Sequence, residues 1–403
     1  MKLIVFVSTC ALAIAASAYA QTDSGDISDR ARVRIGTLRF DPTVTLTNFG
    51  VDNNVFNQTD ADHPQSDFTA TITPKTDWST RLGRSVLSGV LQEDLVYYRR
   101  FASERSANTT ARVALFVPRN RVTFRTGFTY VDTRDRPGFE IDVRSRHTQG
   151  DVDGALDVKV FGKTFVSAIG RRETVDFERG SLFLGADLQE QLSRVVTSEG
   201  VEVRHDMTPL TALIVNVARE QDRFDFSSER DSDSTSVLAG VSLQPRALIH
   251  GSATVGYRAF EPLAADVPAY HGAIVRADVS STIASGTRLT LQVQRDVQFS
   301  YDIDQPYYLM TGFTAGLIQA VGGPFDVGIR AGATGLQYRG RLGAAAALAD
   351  RTDHIQALGG MVGYRVGHGA QIALNIDQQS RSSDATGRQY GGLKVGTSVN
   401  YGF

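Results

Sequence analysis

The sequence predicts an all-β protein: a transmembrane, antiparallel, up-and-down β-barrel of about 18 strands behind a cleaved signal peptide. Three observations carry this. Long segments alternate apolar and polar residues, the connectors between them alternate short and long, and the chain stops on an aromatic residue. Composition removes the competing classes. A mean hydropathy of -0.16 excludes a bundle of apolar membrane helices. With 41% hydrophobic and 21% charged residues the chain is not of the disordered class. A net charge of -2 argues against a nucleic-acid partner.

The first element is the leader. Met1 and Lys2 form a short basic start, residues 3–16 are apolar, and Ala18-Tyr19-Ala20 fits the small-residue cleavage rule. Cleavage is expected between Ala20 and Gln21, giving a signal peptide over 1–20. The apolar run is short for a membrane anchor, which needs about 20 residues. Cys10, the only cysteine, leaves with the leader, so the mature chain has no disulfide and no thiol chemistry. Residues 21–37 are polar and read as a periplasmic tail; residues 38–403 read as one barrel domain.

The strands come next. Phe68, Ala70, Ile72, Pro74 and Trp78 alternate with Thr69, Thr71, Thr73, Lys75 and Asp77. The same split recurs where Val122, Phe124, Phe128 and Tyr130 face away from Arg121, Thr123, Arg125 and Thr129. It closes the chain, where Leu393, Val395, Thr397, Val399, Tyr401 and Phe403 oppose Lys394, Gly396, Ser398, Asn400 and Gly402. A tilted strand needs about 9–11 residues to cross a bilayer, whereas soluble strands average about 5–6. The expected spans are 42–56, 66–78, 84–98, 105–117, 121–134, 141–161, 164–178, 190–206, 210–224, 232–244, 247–260, 269–283, 287–302, 307–321, 325–339, 353–366, 370–380 and 389–403. Short connectors such as Gly162-Lys163, Thr208-Pro209 and Gly322-Gly323-Pro324 take turns with longer polar ones such as 57–67, 135–140, 178–189, 225–231, 261–268, 340–353 and 381–388. Tight periplasmic turns and long outer loops are the pattern of outer-membrane barrels. Tyr401 and Phe403 resemble the assembly signal of such barrels. The Ala-rich stretch 343–349 is a candidate short helix in an outer loop.

Two places break the alternation. Arg295 falls among Leu289, Leu291, Val293, Val297 and Phe299; either it snorkels at an interface or a bulge re-aims it. Residues 86–98 are apolar on both faces and Glu93 sits where lipid is expected, so their faces stay open.

A barrel of this size holds water. The candidate lumen-lining residues are Arg112, Arg121, Arg125, Arg204, Arg258, Arg276, Arg288, Arg330, Asp278 and Asp377. Two readings stand: fixed charges that guide a polar or acidic solute, or Arg–Asp pairs that brace the wall. Both can hold in one barrel. Aromatics toward segment ends, among them Trp78, Tyr97, Tyr130, Tyr257, Tyr301, Tyr307, Tyr364 and Tyr401, read as interfacial girdles; sugar stacking is the rival use. No G-x-S-x-G, phosphate-loop or H-E-x-x-H motif is present, and the seven histidines are scattered. No enzyme activity, cofactor or metal site is expected. The acidic loop residues Asp60, Asp62, Asp67, Asp231 and Asp233 lack a full cation-ligand spacing.

One stretch carries a family resemblance. Pro42-Thr43-Val44 precedes Phe49-Gly50-Val51-Asp52-Asn53-Asn54-Val55-Phe56, followed by Thr73-Pro74, Asp77-Trp78 and Tyr97-Tyr98-Arg99-Arg100-Phe101. This resembles the putative beta-barrel porin 2 family, whose first strand carries a G-x-D-x-N-v-f pattern and whose second carries a Pro and then a Trp. Thr208-Pro209-Leu210-Thr211 and Arg223-Phe224 resemble that family's middle repeats. Asp52, Asn53 and Asn54 equally suit a capped strand end, and no site residue is carried over. The resemblance implies a passive outer-membrane conduit associated with exopolysaccharide or capsule export. The alternatives are a general or anion-leaning diffusion porin and a structural or adhesive barrel with an occluded lumen. The expected partners are outer-membrane lipid and lipopolysaccharide, the barrel-assembly machinery and periplasmic polysaccharide-export components.

Overall fold

The computed structural model describes residues 31–245, 247–283, 286–343, 351–367, 369–385 and 387–402. The leader with Ala20 and Gln21, most of the Ala-rich stretch, and Phe403 of the terminal signal lie outside them.

Eighteen long strands close into one antiparallel barrel, with one short strand added at the start. β1 (Val33–Ile35) pairs only with the beginning of β2 (Leu38–Asp52), inside the stretch expected as a free tail. The wall continues through β3 (Asp67–Leu82), β4 (Ser85–Tyr98), β5 (Ser106–Pro118), β6 (Val122–Asp135), β7 (Ser145–Phe161) and β8 (Thr164–Phe177). A loop hairpin follows, β9 (Leu182–Phe183) with β10 (Ala186–Asp187), and then a one-turn helix α1 (Leu188–Leu192). The remaining wall strands are β11 (Arg194–Thr208), β12 (Thr211–Phe224), β13 (Ser232–Leu243), β14 (Ile249–Pro262), β15 (Tyr270–Ile283), β16 (Thr287–Phe299), β17 (Tyr307–Gly322), β18 (Phe325–Arg339), β19 (Thr352–Val366), β20 (Ala370–Ser383) and β21 (Tyr390–Gly402). β2 pairs with β21 from Thr43 opposite Gly402 to Asp52 opposite Lys394, and this closes the cylinder. Closure removes the free sheet edges of an open sheet.

The connectors fall on two ends. β2 and β21 bring both described termini to the end that carries the tight turns. Gly83 (φ +66°) and Gly162 (φ +50°) sit first in two-residue turns. Such hairpin turns require the left-handed region that a side chain disfavours, which explains both glycines. The opposite end carries the long loops.

The inner face is identified by contacts that skip a strand, because only the concave side brings such residues together. Arg258 on β14 reaches Glu220 on β12 at 2.8 Å and Asp296 on β16 at 3.0 Å. Tracing the register from Arg258 assigns the rest. The opposite face presents Leu91, Val113, Phe128, Val201, Val203, Val255, Leu289, Leu291, Ile329, Leu374 and Val395, all exposed in the isolated chain. Alternation is therefore apolar outside and polar inside.

Three differences from the expected spans have physical causes. β7 begins at Ser145, four residues after the expected 141, because residues 141–144 belong to a loop that turns into the barrel. β11 begins at Arg194 rather than 190, because 188–192 form α1, whose first turn is capped by Asp187 accepting from the Gln189 N–H at 2.9 Å. β2 contains a bulge: Asn48 adopts φ +52° and the register slips by one against both neighbours between residues 46 and 50. Asn tolerates that conformation better than most residues. The slip turns Gly50 and Asp52 inward and Val51 outward.

Both open faces resolve. Glu93 lies on the outer face near the loop end and accepts from the Thr109 hydroxyl at 2.6 Å. Arg295 also points outward, and no bulge re-aims it, since the register on both sides runs to it without a slip. The β15–β16 pairing stops at Val275 opposite Arg295. Beyond that point the Ala273 carbonyl accepts from Arg295 Nε at 3.2 Å and from the Tyr270 hydroxyl at 2.9 Å, while Arg295 Nη1 donates to Thr311 at 2.7 Å. The side chain caps a carbonyl that strand separation leaves without its ladder partner.

Candidate functional site: the inner wall and the loop-end cap

The register places all ten candidate residues on the inner face. The structure brings several together. Arg125 forks onto Asp157 with two contacts of 2.8 Å, and Ser167 donates to the same carboxylate at 2.6 Å. Arg112 reaches Asp153 at 3.7 Å. Arg258 links Glu220 and Asp296, and Arg276 approaches Asp296 at 3.6 Å. Arg330 pairs with Asp377 across two strands. Asp278 accepts from Gln292 at 3.2 Å. Arg204 lies against Asp206 at 3.2 Å and over the Phe165 ring at 4.3 Å. Arg288 also has a partner, and Arg121 is exposed at the turn end. Arg112–Asp153, Arg258 with Glu220 and Asp296, and Arg330–Asp377 each skip a strand, whereas Arg125–Asp157 and Arg276–Asp296 join hydrogen-bonded neighbours, so the charges tie the wall both along and across the pleat.

The loop end is covered from inside. Residues 136–144, between β6 and β7, cross to the far wall. Glu140 is 2% exposed and accepts from the Ser300 hydroxyl at 2.6 Å and the Tyr301 N–H at 3.1 Å. Arg381, on the inner face of β20, donates to the Phe139 and Glu140 carbonyls and to Asp142 at 2.8 Å. Arg388 contacts Asp142 at 3.1 Å and donates to the Glu140 carbonyl. Asn57 donates to Asp142 at 2.9 Å from the loop after β2. One short loop therefore touches the barrel on opposite sides.

The turn between β16 and β17 leans in to meet it. It is free to do so because β16 leaves β15 after Arg295. Arg230, from the loop after β12, donates to the Ser300 and Pro306 carbonyls and fastens this turn. Two apolar groups fill the cap. Ile141, Val175, Phe177, Phe183, Leu188, Leu192 and Tyr301 form one, and Phe139 covers Tyr308, Met310, Leu336, Tyr338 and Ile355 in the other. Each large side chain fully buried this way contributes about 1.5–3 kcal/mol.

Burial governs the cap's ionisation. It pushes the Glu140 carboxyl above its ordinary range, opposed by the Ser300 hydrogen bond and by Arg388. It pushes Arg230 down to about 10, so that guanidinium stays charged at neutral pH. Burial likewise raises the Tyr301 phenol.

The expected girdle needs one correction. Tyr301 is buried in the cap and Tyr307 against Phe260 and Val267 beneath the loop after β14, at 7% and 1% exposure, and neither faces lipid. Tyr97, Tyr130, Tyr257, Tyr364 and Tyr401 are exposed on the outer face. The acidic loop residues serve local ends. Asp67 accepts from the Arg100 and Phe101 N–H groups, and Asp233 binds Arg219 and Arg223. Among the described residues no group of three or more His, Cys, Asp or Glu is placed to hold a metal.

Sequence reasoning missed Glu140, Arg230, Arg381 and Arg388. The expected polar connector 135–140 carries Phe139 beside Glu140, and Ile141 stands at the start of the expected strand that follows. Two large apolar residues in a loop of this length were the available signal.

The family model described as putative beta-barrel porin 2 matches residues 29–403. No curated protein matches the chain. Among solved structures, the chain is similar to a BenF-like porin from Pseudomonas fluorescens, with 10% identity and a TM-score of 0.49 over 92% of this chain and 99% of that one. It is similar to the outer membrane protein OpdK from Pseudomonas aeruginosa, with 11% identity and a TM-score of 0.46 over 91% and 98%. It is also similar to OprD from Pseudomonas aeruginosa, with 10% identity and a TM-score of 0.45 over 93% and 97%.

Proposed function

Since the chain belongs to the putative beta-barrel porin 2 family, we propose that it is an outer-membrane conduit for polar solutes, with an exported extracellular polysaccharide as the favoured cargo. In this reading the tight turns face the periplasm and the capped loop end faces outward. The observation that carries it is the division of the wall: charged residues inside, an exposed apolar surface outside. The mechanism is passage along fixed charges, with no covalent step. Because Arg and Asp are largely paired with each other, the wall offers a solute alternating polar contacts rather than one tight site. Such contacts suit a cargo that must keep moving.

The loop-end cap supports a second reading, a barrel whose resting lumen is occluded. Planar-bilayer conductance separates the two. Wild type is expected to pass little current, and an Arg381→Ala/Arg388→Ala variant is expected to open. A folded variant that still passes none would favour the structural barrel. The cargo is tested in the native host, where deletion is expected to remove surface polysaccharide and leave small-solute uptake unchanged.

A further inference from the structure

Three consecutive turns of the wall differ from the rest. The β3–β4 turn carries Arg81 and Arg84, the β5–β6 turn carries Arg119 and Arg121, and the β7–β8 turn carries Lys159 and Lys163. Residues 79–87, 117–124 and 158–166 contain no acid. Each of the other tight turns between wall strands has at most one basic residue nearby. All six cations are exposed, and none forms an ion pair among the described residues. The contrast with the wall above is sharp, since there Arg112 and Arg125 are paired.

The register decides what this arc faces. Arg81 opposes Val86, which opposes Phe116, which opposes Arg125, so Arg81 shares the inner face with Arg125. Arg121 and Lys159 lie on the same face, two rows nearer the turns, with Lys159 over the inward Phe165 ring at 5.9 Å. Trp78 and Phe124 take the outer face of the same strands. The cations overhang the mouth and not the lipid. Neighbouring turns of this kind are about 10 Å apart, because two strand spacings separate them. A small anion can meet one turn; a chain with repeated charges can meet all three.

We propose that the turn-end mouth captures a polyanion, a polymer whose repeat carries carboxylate or phosphate groups, through the cations of these three turns. The idea rests on the conduit reading and names its cargo class. Exposed like charges raise the local concentration of a polyanion and its rate of encounter.

The test is binding to the full chain in detergent, with polygalacturonate as the probe and neutral dextran as its control. Wild type is expected to bind the first and not the second. Arg84→Glu/Arg119→Glu/Lys163→Glu is expected to weaken binding about tenfold or more, and Arg179→Glu, at the loop end, to leave it unchanged. The cold-gel mobility shift of a closed barrel checks that each variant is folded. On wild type alone, raising salt from about 0.05 to about 0.5 M is expected to release the polymer. Absence of binding, an unchanged triple variant, or an equal loss in Arg179→Glu would overturn the proposal. So would binding to phosphatidylglycerol vesicles with polygalacturonate ignored, which would mark a lipid contact. The assay needs no open pore. A barrel that binds and never conducts refutes only the conduit, and one that conducts and ignores polygalacturonate refutes only the capture.

Discussion

Arg381 on β20 donates to the backbone carbonyl of Phe139, a residue that enters from the opposite side of the barrel. Its guanidinium also meets Asp142 at 2.8 Å and lies 3.6 Å from Asp353, and its side chain has no solvent exposure. The cap is thus tied to the wall through one buried cation. Replacing Arg381 by Ala leaves Asp142 and Asp353 short of a partner, and breaking a buried pair costs about 3–5 kcal/mol. The expected outcome is a lower heat-modification temperature on gels together with raised single-channel conductance. Unchanged values in both would remove Arg381 from this role.

Glu140 gives the cap a pH dependence. Burial raises its folded carboxyl above the value it has when the loop is released. A raised acid binds its proton more tightly in the closed state. Closure is therefore strongest below the released-state pKa and weakens as pH rises through the closed-state value. A cysteine introduced at Val143 should react faster with a thiol reagent as pH increases over this window, after correction for thiolate fraction. Glu140→Gln should flatten the dependence.

Arg258 is the hub of the inner wall between β12 and β16. Arg258→Met removes charge-assisted hydrogen bonds to Glu220 and Asp296 and leaves Asp296 with Arg276 alone, which costs about 1.5–3 kcal/mol. Arg258→Lys should recover part of this, because one ammonium cannot fork to both acids. Urea unfolding in detergent micelles, followed by tryptophan fluorescence from Trp78, measures it.

Arg295 and Leu291 share the outer face of β16 and should respond oppositely to intuition. Arg295→Leu makes the surface more apolar yet removes the donors to Thr311 and Ala273, leaving the Ala273 carbonyl the Tyr270 hydroxyl alone, so it should destabilise by about 1 kcal/mol. Leu291→Arg places a charge nearer the middle of the apolar band and should cost about 2–4 kcal/mol. Refolding yield into lipid vesicles ranks the two. A stabilising Arg295→Leu would show that the guanidinium's bonds to Ala273 and Thr311 contribute nothing net.

Much of the wall was legible because a strand repeats every two residues and each long segment obeys that rule independently. Phe124 and Arg125 reveal their faces without any knowledge of β7. Pairing partners on the wall were partly legible too, since Arg125 and Asp157 sit on strands joined by one tight turn. Arg258 and Asp296 were not, because a contact that skips a strand depends on curvature. Tyr307 looked like a girdle aromatic from its position at a segment end. It is buried because the β16–β17 turn leans inward, and nothing within residues 300–306 announces that tilt.

The sequence by itself determined the cylinder: which residues face out along most of the wall, that about 18 long strands build it, and which end carries the tight turns. These follow from local periodicity and turn chemistry, which need only neighbours along the chain. The tertiary structure decided whether the mouth is open. Glu140 with Ser300, and Phe139 with Arg381, are separated by 160 and 242 positions. Such partners are chosen by the shape of a closed ring, and a ring has no signature in any one of its strands.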